Sequence, residues 1–353
     1  MLAQQAKTPA GNGRERKGFS VDEPVRRPRP LKIVGIVAAV LAALVLAVVV
    51  GLNIYVRAAF APFYAEAEPV FDIPGVNAGF VCQDLDHLAA DGSWLFSGYM
   101  ADGSPSPLYK RAADGTVARL TVANPDGAAY TGHGSAITST DRYAYLACDG
   151  GYLVLDGEEL AAASDGQEVD AIARVDLDFS PAFMNIEGDT LLTGNFYYPG
   201  DYETPASHRI TTPDGAENPA VIYTYDLDPN APFGVAPGPA CVYSIPGMIQ
   251  GVCLTDSGRI VLSQSYGIAT SHLLAYDQAR LTQDGTFLAD GAEVPLYCLD
   301  SRSLAADVEA PPMAEGIESF EGRVYVSDES ASNKYIFGKL YGAGVVYALD
   351  MNG

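Results

Sequence analysis

Five times after residue 80 the sequence repeats one short pattern: an apolar strand that ends in a small residue, a polar loop, and a second apolar strand that usually closes on aspartate. The predicted strand pairs are residues 94–97 with 107–109, 143–147 with 152–156, 191–194 with 221–226, 260–263 with 273–277, and 324–327 with 345–350. A unit of short strands cannot bury both of its faces alone, so its copies must pack side by side. This repeat is typical of a β-propeller.

The rest of the chain after residue 80 fits the same architecture. Gly, Asp, Pro and Asn separate apolar runs of a few residues, and no long helical periodicity occurs. We therefore predict an all-β fold, a single propeller over residues 80–353, preceded by a stem and first strand over 58–79. Five blades are visible, and a sixth is predicted only if residues 60–80 and the wider spacings supply its strands. A β-sandwich would use similar strands but would not explain the repeat.

An uncharged, apolar segment lies between Lys32 and Arg57. About 20 apolar residues suffice to cross a bilayer as a helix, so residues 32–57 are predicted to form one transmembrane helix. Basic residues crowd its N-terminal side, which favours a cytoplasmic N-terminus and an extracytoplasmic propeller in a single-pass protein of the cell membrane. A cleaved signal peptide is the alternative, with residues 65–67 as its cleavage site.

Charge divides the chain at the same place. Residues 1–32 hold 8 basic and 3 acidic residues, whereas the remainder holds 13 basic and 41 acidic residues. The composition of residues 1–31 predicts a disordered basic tail. The strongly acidic remainder repels phosphate backbones, which argues against a nucleic-acid partner.

The five cysteines all lie beyond the apolar segment. An oxidising compartment would permit a disulfide, and Cys241 with Cys253 is the pair closest in sequence. Buried free thiols are the alternative, because cysteine commonly packs as a small apolar residue.

A polar residue comes at the start of the innermost strand of each repeat, and these residues are predicted to form a ring at one mouth of a central channel. They are Gln83, His133, Gln250 and Glu315, with Ser180 or Asn185 in the third repeat. Because consecutive strands run antiparallel, the loops between second and third strands should surround the same mouth. Long loops on a rigid scaffold commonly carry binding residues, and the candidates here are Tyr197, Tyr202, His208, Arg209, His272 and Tyr335.

The ring residues suggest two kinds of chemistry. Glu315 is the one acid of the ring, so it is the candidate general base or metal carboxylate, with His133 as the second candidate catalytic group. Oxygen ligands with one imidazole suit a hard cation such as Ca²⁺. The alternative is a set of hydrogen-bonded channel residues that bind only water.

Two segments resemble blades of the gluconolactonase and senescence-marker superfamily and of strictosidine-synthase-like propellers. They are residues 315–317 followed by 323–327, and 250–252 followed by 258–263. The resemblance implies a divalent cation at the channel mouth that polarises a lactone or ester, with Glu315 and Asn185 as metal ligands. His133 and Gln250 stand where that pattern has Asn or Asp.

The sequence therefore leaves three functional hypotheses. The preferred one is a membrane-anchored, extracytoplasmic module that binds or scaffolds a small molecule, a glycan or a protein at the cell surface. The alternative is a cation-dependent hydrolase of the lactonase or esterase type. The third is a purely structural member of an envelope complex that binds through the edges of its blades.

Overall fold

The computed structural model describes residues 30–353, with no side-chain description for residues 30 and 31. The predicted disordered tail lies outside this range, apart from Pro30 and Leu31. The chain divides into two compact units, of which the second is Val48–Gly353.

One helix, α1 (Pro30–Ala59), carries the apolar segment. Its stretch Lys32–Ala59 is long and apolar enough to cross a membrane, and apolar side chains such as Val34 and Leu46 are more than 60% exposed. Contiguous exposed apolar surface of this kind is stabilised by lipid rather than by water. A membrane anchor or a signal sequence accounts for this helix.

The second unit is a propeller of five four-stranded blades. A short helix and a strand come first: α2 (Ala61–Glu66) and β1 (Glu68–Asp72). Blade 1 contains β2 (Phe80–His87), β3 (Trp94–Met100), β4 (Pro107–Arg111) and β5 (Val117–Ala123). Blade 2 contains β6 (Ile137–Ser139), β7 (Tyr143–Cys148), β8 (Gly151–Asp156), the helix α3 (Gly157–Ala162) and β9 (Glu168–Asp176).

Blades 3 and 4 carry additional hairpins. Blade 3 contains β10 (Phe183–Glu187), β11 (Thr190–Gly194), the small hairpin β12 (Ile210–Thr211) and β13 (Glu217–Asn218), then β14 (Ala220–Asp226) and β15 (Cys241–Ile245). Blade 4 contains β16 (Ile249–Leu254), β17 (Arg259–Gln264), β18 (Ser271–Asp277), the inserted hairpin β19 (Gly285–Ala289) and β20 (Ala292–Cys298), and β21 (Leu304–Ala310). The inserted hairpin leaves blade 4 and extends blade 3, because β20 pairs in parallel with β15.

Blade 5 closes the ring. It contains β22 (Ala314–Phe320), β23 (Arg323–Asp328), the helix α4 (Ile336–Tyr341) and β24 (Val345–Leu349), and β1 is its outermost strand. The inner strands β2, β6, β10, β16 and β22 contact one another in a closed cycle. The blade count is therefore five, because residues 68–72 complete blade 5 and the extra strands enlarge blade 3 instead of building a sixth blade.

Apolar side chains fill the layers between successive blades. Leu95 and Leu120 of blade 1, for example, pack with Leu146 and Leu153 of blade 2. Each such buried leucine contributes about 2 kcal/mol relative to an exposed one. Between blades 4 and 5 the layer also takes in Val56, Phe60 and Phe63, so the end of α1 and the helix α2 are part of the propeller core.

The five repeated patterns of the sequence are the second and third strands of the five blades. The disulfide that the sequence allowed between Cys241 and Cys253 is not formed. All five cysteines lie within the described residues and are free thiols. Cys241 lies on β15 and Cys253 on β16, in neighbouring blades.

Candidate ligand site at the channel mouth

Bulges in three inner strands change the direction in which the side chains of the ring residues point. The ladder between β2 and β3 shifts register at Gln83, that between β16 and β17 at Gln250, and that between β22 and β23 across Glu315 and Gly316. A bulge places an extra residue in one strand and re-aims its side chain. Three of the predicted ring residues are therefore removed from the regular pleat of their strands.

Close packing of inner strands depends on the glycines that follow two ring residues. A Cβ atom at Gly316 would overlap the backbone and carboxylate of Asp84 on β2. A Cβ atom at Gly251 would come within 2.8 Å of the carbonyl oxygen of Glu315. Neither position accommodates a side chain, so neighbouring blades approach closely here because these residues are glycine.

The ring residues form two hydrogen-bonded pairs. His133 Nε2 bonds to Gln83 Oε1, and the Gln250 amide donates to Glu315 Oε1 at 3.3 Å. Glu315 is 3% exposed. Its burial, followed by the charge of neighbouring Glu329, raises the pKa of Glu315 well above its ordinary value. Lost hydration and then the charge of Lys334 lower the pKa of His133, so this residue is neutral at neutral pH.

Aromatic and charged residues of β3 and of the segment between β23 and α4 lie next to these pairs. The Tyr99 ring lies 4.6 Å from the His133 ring. The Lys334 ammonium donates a hydrogen bond to the Tyr99 hydroxyl, and its nitrogen lies 4.8 Å and 5.2 Å from the ring centroids of Tyr99 and Tyr335. The hydroxyls of Tyr335 and Tyr99 donate to Glu329 Oε1 at 2.8 Å and 3.4 Å. We call this group of Tyr99, Glu329, Lys334 and Tyr335 the aromatic cage.

Asn185 lies with a different set of groups. Its amide donates to Glu318 Oε2 at 2.6 Å, and its Oδ1 is buried without a hydrogen-bond partner among the described residues. Burial, followed by the charges of Asp86 and Asp84, raises the pKa of Glu318 well above its ordinary value. These channel acids were not among the sequence-based candidates, although Asp84 and Asp86 alternate along a strand and so share one of its faces.

Asp84 and Asp86 connect blade 1 to blade 2. Asp84 Oδ2 accepts the backbone N–H of Ile137 at 2.9 Å, and Asp86 Oδ2 accepts the Ser139 hydroxyl at 2.7 Å. Both acceptors lie on β2 and both donors on β6, so the two carboxylates replace a backbone ladder between blades. Satisfied buried groups of this kind favour one register between neighbouring strands.

The remaining candidates from the long loops lie in other contacts. The Arg209 guanidinium lies over the Tyr197 ring at 5.4 Å and pairs with Glu203. His272 pairs with Asp307 on the outer strands of blade 4 at 2.8 Å. Tyr202 is exposed and meets Phe196 edge to face, while His208 is buried between Asn195 and Tyr223. Of the six loop candidates, Tyr335 is the one that belongs to the aromatic cage.

Glu315 and Asn185, the calcium ligands that the resemblance implies, belong to different hydrogen-bonded pairs. Glu315 bonds to Gln250, whereas Asn185 bonds to Glu318, so the two expected ligands have different partners. Within residues 30–353, no group of three His, Cys, Asp or Glu side chains is placed to hold a metal ion. His133 and Glu315 also belong to separate hydrogen-bonded pairs.

No family model matches the chain, and no curated protein matches it. Solved structures with some likeness include the PQQ-bound form of aldose sugar dehydrogenase from Streptomyces coelicolor, at 12% identity over 80% of this chain and 97% of that chain, with a TM-score of 0.44. The WD40 β-propeller domain of Doa1 has 8% identity over 80% and 98%, with a TM-score of 0.37. The propeller assignment rests on the strand order of this chain, and neither protein's activity is transferred to it.

Proposed function

We propose that this chain is a membrane-anchored binding module, and that the mouth of its propeller recognises a ligand that carries an ammonium-type cation. The observation that supports this most directly is the position of Lys334, whose ammonium donates to the Tyr99 hydroxyl and lies 4.8 Å and 5.2 Å from the centroids of two tyrosine rings. Aromatic faces attract ammonium groups through the ring quadrupole. The protein's own lysine thus marks the chemistry that the aromatic cage accepts.

The surroundings of the aromatic cage favour the same ligand class. Glu329 accepts hydrogen bonds from both tyrosines and so fixes the ring positions. Glu315 and Asp328 lie nearby, and burial raises the pKa of Asp328 to about 7. A ligand cation next to these acids would stabilise their ionised forms. Lys334 is exposed on a loop, so its side chain can leave the rings when a ligand binds.

The test uses choline and its neutral isostere 3,3-dimethylbutanol with the full-length chain in lipid nanodiscs. Isothermal titration should show saturable binding of choline and none of the isostere. Lys334→Ala should strengthen choline binding about fivefold, since it removes a competing cation–π contact of ~1 kcal/mol. Glu329→Gln should weaken it.

Lys339→Ala is the matched control, because Lys339 lies on the helix α4 that follows this loop and donates to Asn77 Oδ1 at 2.9 Å. It should leave choline binding unchanged. Equal binding of choline and its isostere, or indifference to both Lys334→Ala and Glu329→Gln, would contradict the proposal.

The location of the propeller outside the cell is part of the same proposal and has a separate test. The basic residues before α1 support a cytoplasmic N-terminus. Protease added to intact cells should then digest the propeller and spare an N-terminal tag. A mature protein that begins after residue 67 would show instead that α1 is a cleaved signal sequence.

A further inference from the structure

A second concave site lies away from the channel, along the side of the propeller between blades 2 and 3. We call it the side cleft. Its volume is about 620 Å³, and its lining includes the end of β9, the strand β14 and the tip of the β19–β20 hairpin. Ligand sites in proteins commonly have volumes of about 300–1,000 Å³ and walls rich in aromatic residues. The side cleft has both properties.

Aromatic rings form much of its wall. Phe179 stacks on Tyr223 with a centroid distance of 5.0 Å and an angle of 23° between the rings. Tyr152, Tyr225 and Phe233 also line the side cleft. Planar groups pack favourably against such faces, and a guanidinium does so with an added cation–π attraction.

Two residues that line the side cleft, Asp290 and Phe233, have positive φ angles. Asp290 (φ 49°) and Gly291 (φ 78°) form the two-residue turn between β19 and β20, where positive φ at both positions is typical of a type I′ hairpin. Phe233 also has a positive φ, of 55°. Non-glycine residues in this region carry strain that the surrounding structure must offset, and such residues concentrate at binding sites.

A chain of hydrogen bonds orients Tyr223 at the wall. The Asn195 amide nitrogen lies 3.2 Å from His208 Nδ1, and His208 Nε2 lies 3.1 Å from Tyr223 Oη. The Asn195 amide nitrogen is a donor, so His208 Nδ1 must accept its hydrogen bond. The proton of the neutral His208 ring is then on Nε2, which donates it to the Tyr223 oxygen. Burial lowers the pKa of His208, which keeps the ring neutral and this arrangement intact. The hydroxyl proton and second lone pair of Tyr223 are then free for a ligand.

Acidic residues dominate the charge of the side cleft. Arg174 pairs with Asp176 at 2.8 Å, so these two charges compensate each other. Asp178 and Asp290 are exposed, and neither forms an ion pair with any described residue. Their charges act on Tyr223, where burial first and then Asp290 and Asp178 raise the pKa to about 12. Two uncompensated carboxylates thus lie close to one aromatic wall.

We propose that the side cleft binds an arginine side chain of a partner polypeptide, with its guanidinium plane against the aromatic wall and its N–H groups on Asp178, Asp290 and the Tyr223 oxygen. A guanidinium suits this combination better than an ammonium, because it is planar and presents several donors in a fixed fork. The large negative charge after residue 32 also favours a basic partner. This site is separate from the aromatic cage.

The test compares three capped tripeptides of the form Gly-X-Gly on the full-length chain in nanodiscs, with arginine, citrulline or lysine as X. Citrulline has nearly the shape of arginine but no charge, and lysine has the charge without the planar fork. Titration should show binding in the order arginine, lysine, citrulline, with roughly a fivefold loss from arginine to lysine. Binding of arginine and citrulline with equal affinity would overturn the proposal.

Variants locate the site and separate it from the channel mouth. Asp290→Asn should weaken binding of the arginine peptide about fivefold, the upper range for one exposed ion pair. It should leave choline binding unchanged, whereas Glu329→Gln should do the reverse. Tyr223→Phe keeps the ring and removes the hydroxyl, so a reduced affinity is expected, together with a lower melting temperature because buried His208 loses its acceptor. Arginine binding that Asp290→Asn and Tyr223→Phe leave intact, or that Glu329→Gln abolishes, would place it elsewhere and refute the proposal.

Discussion

The central channel and the side cleft both contain acids and a histidine, but they are built in opposite ways. The channel arises where the inner strands of all five blades meet, so each blade contributes an equivalent strand to it. The side cleft arises where additions interrupt the repeat, namely the β19–β20 hairpin and the long loop that carries His208. Equivalent positions of the repeat therefore form the first site, and exceptions to the repeat form the second.

This difference also governs the acids of the two regions. Glu315 and Glu318 in the channel are at least nine-tenths buried, and burial raises the pKa of each. Asp178 and Asp290 at the side cleft are exposed. A close-packed ring of strands withdraws its carboxylates from water, whereas the loop after β9 and the tip of the β19–β20 hairpin leave theirs exposed to it. The channel should thus be sensitive to packing and pH, and the side cleft should respond mainly to ligand charge.

The largest effect is expected from Gly316→Ala. The added methyl group would overlap the backbone of Asp84, so β2 and β22 could no longer approach as they do. We expect a loss of about 3 kcal/mol in the free energy of unfolding, measured by denaturant titration.

Gly285→Ala is the matched control in the inserted hairpin. A Cβ atom at Gly285 meets no atom within 4 Å. Its effect should lie within about 0.5 kcal/mol of zero. Equal destabilisation by the two substitutions would remove the distinction between a packed ring and a loosely packed addition.

The repeat explains how much of this molecule is predictable from sequence. Strands β3, β7, β11, β17 and β23 follow from local apolar pattern, and so do the third strands that pair with them. The pairs Gln83–His133 and Gln250–Glu315 follow because equivalent positions of neighbouring repeats must lie side by side. These predictions need only the period of the repeat.

Other features depend on pairing between distant segments, which local pattern does not specify. The strand β1 pairs with β24 almost 280 residues later. Local sequence pattern therefore predicts only a stem and a first strand there, without its partner. The strand β20 crosses to blade 3 through a parallel pairing with β15. His208 and His272 lie within the predicted mouth loops, yet their hydrogen bonds include those to Tyr223 and to Asp307.

A smaller effect is expected from Glu318→Gln, and it depends on pH. Glu318 has a pKa raised well above its ordinary 4.5 in the folded state, so the folded state binds this proton more tightly than the unfolded chain. Its stabilising contribution is complete below pH 4.5 and is lost as the pH rises through the folded pKa. Glutamine cannot ionise but can still accept the Asn185 hydrogen bond.

Thermal unfolding from pH 5 to pH 8 measures the difference. Glu318→Gln should be close to wild type at pH 5 and more stable by roughly 1–2 kcal/mol at pH 8. Gly285→Ala is the control, because it changes no ionisable group and so its stability relative to wild type should not vary with pH. A Glu318→Gln profile parallel to that of wild type would show that the channel acid is hydrated and would weaken the contrast between the regions.

The smallest effect concerns the rate at which thiols react. Cys82 and Cys253 lie on the inner strands β2 and β16 and are fully buried, whereas Cys241 lies partly exposed on β15, the strand that accepts the added hairpin. Ellman's reagent should therefore label Cys241 in the folded protein and reach Cys82 and Cys253 only on unfolding. Burial raises the pKa of the Cys241 thiol above 9.0, so its labelling rate should rise about tenfold per pH unit between pH 7 and 9 because thiolate is the reactive form. Rapid labelling of Cys82 under native conditions would mean that the inner strands of the propeller open as readily as the strand that accepts the added hairpin.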